Sequence, residues 1–195
     1  MPGSPQRLIL ASASPRRLDL LARIGVFPEE VDPADIDETP LDAEIPRLHV
    51  QRVAAEKAAA VAARHPGCVI LAADTVVAAG RRILPKAQDE NVARKCLNLL
   101  SGRRHRVLTA VTVIDAAGTA RHRLSDTIVA FKPLTLAEIT AYLDTGEWQG
   151  KAGGYAIQGR AEAFVRFLSG SHSGVIGLPL FETRALLLTA GLALG

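Results

Sequence analysis

The sequence predicts an α/β fold with a largely mixed sheet arranged in two lobes, and three observations carry that expectation. Short aliphatic runs alternate with segments whose apolar residues recur at helical spacing. Alanine, leucine and valine dominate while aromatics make up 4% of the chain, which favours helices packed on an aliphatic sheet. One stretch, "HRVLTAVTVIDAAGTARHRLSDTIVAF", reads as two long strands around "DAAG", so antiparallel pairing joins the alternating pattern.

In chain order, Leu8 to Ser12 is a first buried strand and Pro15 to Ile24 a helix with proline in its first turn. Val26 to Val31 reads as a second strand, followed by the acidic "DPADIDETPLDAEIP", an exposed loop without period. From Pro46 to Arg64 the apolar spacing predicts an amphipathic helix closed by "HPG". "CVILAADTVVAAGRRIL" reads as a buried strand, a polar break at Asp74 and a second strand turning at Gly80. "DENVARKCLNLLSG" is a helix ending at Gly102, and Thr135 with Glu138 forms a capping box for another that ends at Gly146. Gly150 to Gly159 is a glycine-rich loop, Ala163 to Leu168 a strand, and Leu178 to Ala190 the last helix.

With 195 residues and 48% apolar content, the chain can bury a sizeable core, as one large domain (1–195) or two small lobes sharing a core. Cys68 and Cys96 are the only cysteines and show no paired spacing. That argues against a disulfide framework or a zinc site and for a reducing, cytoplasmic setting. No apolar run approaches the ~20 residues that span a bilayer. The net charge is only +3, so where the cations sit matters more than their sum.

Two stretches hold chemistry. In "LILASASPRR", Ser14, Pro15, Arg16 and Arg17 stand where a strand hands over to a helix. A helix N-terminus offers unpaired N–H groups, a hydroxyl can add to them, and guanidiniums are forked donors suited to phosphate. The same residues also fit an ordinary serine cap beside solvated arginines. In "LAADTVV", Asp74 ends a buried run, where a carboxylate must be capped, paired or coordinating. It is either a turn-capping aspartate or a metal ligand and base for water. Lys57, Lys86 and Lys151, each unremarkable alone, together with the two arginines match the charge of a triphosphate. His105, where a loop enters a strand, reads as structural.

Together "LASASPRR", "ADTVV", "PKAQDE", "LSGRRHRVLT", "KAGGYAIQG" and "GSHSGVIGLPL" resemble the ordered signature of the Maf (septum formation) proteins, from Leu8 to about Leu187. The resemblance implies a fold similar to inosine triphosphatases, an elongated sheet with a cleft between two lobes. It further implies a nucleoside triphosphate pyrophosphatase using Mg²⁺ or Mn²⁺, often a homodimer. Carried across, Asp74 is the catalytic base. Ser14, Arg16, Arg17, Lys57 and Lys86 bind substrate, and Asp37, Glu38 and Asp74 form the metal site. Arg16, Thr75 and Gln158 resemble the subgroup acting on dTTP and UTP rather than on 7-methyl-GTP. A neutral uracil or thymine edge suits an amide that donates and accepts. Four departures stand out: Pro85-Lys86-Ala87 for "GKP", Gly150-Lys151-Ala152-Gly153 for "DKAG", Ser171-His172-Ser173-Gly174 for "SYSN", and aspartate at Asp37. The competing readings are a 7-methyl-GTP or broad-specificity pyrophosphatase, and a non-enzymatic nucleotide- or RNA-binding division regulator with Arg81, Arg82, Arg103, Arg104 and Arg106 as its basic face. Scarce aromatics and no RNA-binding motif argue against nucleic acid.

Overall fold

The computed structural model describes residues 6–194. Seven strands join one mixed sheet: β1 (Leu8–Leu10), β2 (Glu30–Val31), β3 (Val69–Ala79), β4 (Arg82–Leu84), β5 (Arg104–Ile114), β6 (Ala120–Phe131) and β7 (Val165–Ser169). The order is β2-β1-β3-β5-β6-β7, with β4 pairing β3. β1 lies parallel to β2 and β3, and every other pair is antiparallel. The parallel part has the apolar, fully buried β1 that such sheets require, and the rest is the long hairpin read in the sequence.

Among the described residues, six α-helices flank the sheet: α1 (Pro15–Arg23), α2 (Pro46–Ala62), α3 (Glu90–Leu100), α4 (Leu136–Leu143), α5 (His172–Ile176) and α6 (Leu180–Thr189). α2 packs Val50, Ala54, Ala58 and Val61 on one face of the sheet, against residues such as Ile70, Ala72 and Val76. The larger core lies on the other face, where Leu20, Leu97, Ile139 and Leu187 meet Leu71, Ala73 and Val77. The expected capping box closes α4 in both directions, and Asp89, unnoticed in the sequence, caps α3 through Val92 N at 2.9 Å.

Several expectations need correction. Asp74 does not break or end a strand. β3 runs through it, pairing with β5 from Ile70 to Ala78, because a salt bridge answers its charge inside the sheet. The second strand shrinks from Val26–Val31 to Glu30–Val31; Pro28 has no N–H for a ladder, and Phe27 is exposed. A 3-10 helix over Arg160–Phe164 delays β7 to Val165. The expected last helix starts two residues late, and the short α5 precedes it. Cys68 and Cys96 are buried free thiols.

One backbone feature opens the site. On the edge of β3 away from β5, β1 pairs only with Val69–Leu71 and β4 only with Val77–Ala79. Residues 72–76 therefore face a notch between two partner strands. The glycine-rich loop closes over this region: Lys86 bridges Ala152, Ala87 N donates to Lys151 O at 3.0 Å, and Gly153 N donates to Pro85 O at 3.1 Å. Gly153 has φ +68, and a Cβ there would lie 2.9 Å from Val77 Cγ1. Gly153→Ala adds left-handed strain to that clash, so it should destabilise the protein by roughly 2 kcal/mol or more. Thermal unfolding should show a Tm lower by roughly 4–8 °C; an unchanged Tm would mean the loop does not depend on this close approach.

Candidate active site

Alternation along β3 sends Asp74 toward the α2 face and Thr75 toward the α5 face. Both still line one cleft, because the notch leaves their edge of the strand open. A cavity of about 170 Å³ holds Asp74, Thr75, Arg16 and Gln158. A neighbouring one of about 180 Å³ holds Glu38, and Ser14, Arg17, Lys57 and Lys86 line both.

Asp74 is 5% exposed and could not keep its charge there alone. Lys57, 7% exposed on α2, supplies the counter-charge, its Nζ lying 2.9 Å from Asp74 Oδ1 and 2.7 Å from Glu38 Oε1. Lys86 Nζ then reaches Glu38 Oε2 at 2.8 Å. Burial would raise the Glu38 pKa, but hydrogen bonds from Lys57 and Lys86 outweigh it and hold the carboxyl down at about 2. Four side chains from β3, α2, the 32–45 loop and the loop after β4 thus form one alternating chain of charge.

The "SPRR" residues are not an ordinary cap. Ser14 occupies the N-cap of α1, yet its side chain makes no capping bond. Arg17 is buried, not solvated: Nη1 donates to Ser12 Oγ at 2.7 Å and Nε to Gly177 O at 2.9 Å. Burial lowers its pKa, and the charges of Asp74 and Glu38 act in the opposite sense. Arg16 is half-buried and has no protein partner among the described residues, so its guanidinium is available to a ligand; burial lowers its pKa as well. Lys151 lines the same wall, with its pKa lowered by burial and then by Arg16. No carboxylate stands in the first turn of α1 to compete for these cations.

Two sequence candidates behave differently. Asp37 is exposed, and its Oδ1 accepts from Thr39 N at 2.9 Å in a local turn, so it does not line the cleft. Among the described residues, no three His, Cys, Asp or Glu side chains gather as a metal site. Glu38 and Asp74 do converge on one cation, the Lys57 ammonium, which is the kind of two-carboxylate corner that a hard divalent ion takes alongside phosphate oxygens. His105 is outside the cleft. It lies beneath Tyr155, a cleft residue, with Nε2 2.8 Å from the phenol oxygen and its ring edge-on to Phe131.

Sequence reasoning missed Thr109, fully buried and 3.0 Å from Thr75 across β3 and β5, and Gly177, whose carbonyl anchors Arg17. Both lay inside motifs already singled out, but neither residue type carries an obvious chemical signal.

A mixed α/β sheet thus carries a notch lined by unpaired and half-paired cations around one buried carboxylate, an arrangement whose charge suits a polyanion. The family model of the Maf-like proteins matches residues 7–190, and the chain belongs to that family. It is 65% identical over 185 residues to the "dTTP/UTP pyrophosphatase" of Novosphingobium aromaticivorans, covering 95% of this chain and 92% of that protein. The Sphingopyxis alaskensis protein of the same name is 63% identical over 188 residues, covering 96% and 98%. Among solved structures, the Staphylococcus aureus Ham1 protein is similar with a TM-score of 0.48 at 16% identity, over 65% of this chain and 72% of that one. A Ham1 protein from Coxiella burnetii gives 0.47 at 16% identity over 94% and 98%.

Burial also sets a pH dependence. It pushes His105 down to about 4 from 6.5, so the folded protein keeps this imidazole neutral. Between pH 6.5 and about 4 the unfolded chain takes up a proton that the folded one refuses, and stability falls with pH. The full difference is about 3 kcal/mol. An NMR titration of His105 should give a midpoint near 4; a midpoint above 6 would mean the ring is solvated.

Proposed function

We propose that this chain hydrolyses dTTP and UTP to the nucleoside monophosphate and pyrophosphate, in a site centred on Asp74. The observation that carries the reading is the buried Asp74–Lys57 pair at 2.9 Å, open to a cleft rich in cations. The names of relatives 63–65% identical over nearly the whole chain support the substrate assignment.

In this reading the triphosphate lies across the notch. Arg16, the free guanidinium, together with Ser14 and the end of α1, takes phosphate oxygens. Arg17 braces that corner through Ser12 and Gly177. Asp74 accepts the proton of a water that attacks the α-phosphorus. The new P–O bond forms as the bond to the bridging oxygen breaks, and pyrophosphate leaves with the electron pair. Lys57 fixes Asp74 Oδ1 and neutralises charge beside it. Lys86, exposed and hinged on its bridge to Ala152, meets the leaving pyrophosphate. Most of the rate would come from position and charge, as is usual in phosphoryl chemistry.

The donor set fits Mg²⁺ or Mn²⁺ held by Asp74 and Glu38, with phosphates and water completing the shell. Asp37 has no part in that set. When bound, the ion neutralises phosphate charge and acidifies water. The base end lies on the α5 face, where Thr75 and Gln158 stand among Ile157, Val175 and Ile176. Gln158 has no protein partner among the described residues, which leaves both ends of its amide for a pyrimidine edge.

Product analysis of dTTP hydrolysis with Mg²⁺ tests the reaction. Monophosphate and pyrophosphate are expected, and orthophosphate with diphosphate would place the attack at the γ position and end the proposal. Asp74→Asn keeps the shape and loses the base, so kcat should drop roughly 10²-fold or more. A folded variant with near-wild-type turnover would remove Asp74 from the mechanism. Arg16→Ala should lower kcat/KM by roughly 10- to 150-fold, the usual effect of deleting a charged donor to phosphate. A change under about threefold would leave Arg16 outside the substrate contacts.

A further inference from the structure

The acidic loop that carries Glu38, residues 32–45, contains neither strand nor helix, so side chains must hold it in place. α2 lies alongside, and the chain grips the loop from there at three points. Arg64, just past the end of α2, donates through Nε to Asp32 Oδ2 at 2.8 Å and through Nη2 to Pro33 O at 3.2 Å. Lys57 takes Glu38 in the middle. Arg52 takes the far end: Nε and Nη2 donate to the two carboxylate oxygens of Glu44, both at 2.8 Å, and Nη2 also to Thr39 O at 3.1 Å. Glu44 Oε2 in turn accepts from Leu41 N at 3.0 Å.

These grips differ in strength. The pairs of Arg64 with Asp32 and of Lys86 with Glu38 are partly exposed, and screened ion pairs hold little by themselves. The Glu44 side chain is only 8% exposed, and its contact with Arg52 is the bidentate kind, which fixes direction as well as distance. The backbone beside it is strained. Ala43, with φ 56, is the one non-glycine residue in the left-handed region among the described residues. Such strain persists only where surrounding contacts overdetermine it.

We infer that Arg52, through Glu44 and the Thr39 carbonyl, is a positioning residue that keeps Glu38 at the cleft while substrate is bound. The inference rests on the proposed function, in which Lys86 turns to the leaving pyrophosphate and a divalent ion shares Glu38 with Lys57. An anchor that the ligand recruits cannot also hold the loop. Arg52 lines neither cavity of the cleft, and its partners belong to the loop or to α2 itself, so its grip does not depend on what fills the site. Its bond to Thr39 O acts on the residue next to Glu38, whereas Arg64 holds the loop only at Asp32 and Pro33. Residues that support a metal-ligating carboxylate set its direction, and their loss is felt as lost metal affinity.

The test is Mn²⁺ affinity, read by titration calorimetry with a non-hydrolysable dTTP analogue present, in wild type, Glu38→Gln, Arg52→Met and the double variant. Methionine keeps much of the aliphatic stem of Arg52 and removes its donors. Arg52→Met should weaken Mn²⁺ binding roughly tenfold or more. The double variant should bind within about threefold of Glu38→Gln, because a residue that acts through Glu38 then has nothing left to position. A merely structural role would instead add its loss to that of Glu38→Gln. If Arg52→Met does not fold, Glu44→Gln breaks the same charged pair from the loop side and carries the same expectation. An affinity within about threefold of wild type in the folded single variant overturns the inference, as do losses that add in the double variant. Glu38→Gln protein that binds Mn²⁺ like wild type refutes Glu38 as a metal ligand in the proposed function, and this inference falls with it. Wild-type protein that turns over neither dTTP nor UTP refutes that function as a whole.

Discussion

A carboxylate in the middle of a sheet strand is the constraint around which this protein is arranged. Asp74, 5% exposed, is answered by the Lys57 ammonium, which reaches it from α2. Breaking such a pair from one side leaves an uncompensated buried charge, which typically destabilises by about 3–5 kcal/mol. The same ammonium holds Glu38, Glu38 holds Lys86, and the backbone of Lys86 bridges Ala152. Charge therefore links the sheet, a helix, the acidic loop and the glycine-rich loop in one line. Lys57 and Lys86 are held by Asp74 and Glu38, two carboxylates suited to a metal ion, while Arg16 beside them has no protein partner among the described residues.

The notch in β3 explains how neighbouring residues of one strand share a cleft. Strand alternation separates Asp74 from Thr75 by the thickness of the sheet. With β1 ending at Leu10 and β4 beginning only opposite Val77, the edge between them is open to both faces. Asp74, Lys57 and Glu38 gather on the α2 side, while Arg17, held by Gly177 O, and the apolar Ile157, Val175 and Ile176 stand toward α5, so the open edge lets both sets line the same cleft.

Much of this was legible in the chain itself. Helical spacing gave α1 to α4, and the apolar runs gave β1, β3 and the β5–β6 hairpin, since their burial leaves a period in the residues. Asp74 stood out because a charge within apolar surroundings demands a partner, "SPRR" because a hydroxyl and guanidiniums meet a helix N-terminus, and Lys57 and Lys86 only through the charge of a triphosphate and the family resemblance. Other features left no such mark. The continuity of β3 through Asp74 depends on a lysine 17 residues earlier, which no local pattern reveals. Asp37 and Glu38 are adjacent acids in one loop, and only the fold turns Glu38 to the lysines and Asp37 to Thr39 N. Thr109 looked like any strand threonine, because its partners lie on β3 and α5.

The proposed chemistry depends on water reaching the α-phosphorus beside Asp74. Hydrolysis of dTTP in water enriched in ¹⁸O reads that step directly, because the attacked phosphorus keeps the solvent oxygen. Attack at the α-phosphorus puts one ¹⁸O in the phosphate of dTMP and none in the pyrophosphate. Label in the pyrophosphate, with unlabelled dTMP, would put the attack on the β-phosphorus and contradict the arrangement described for this cleft.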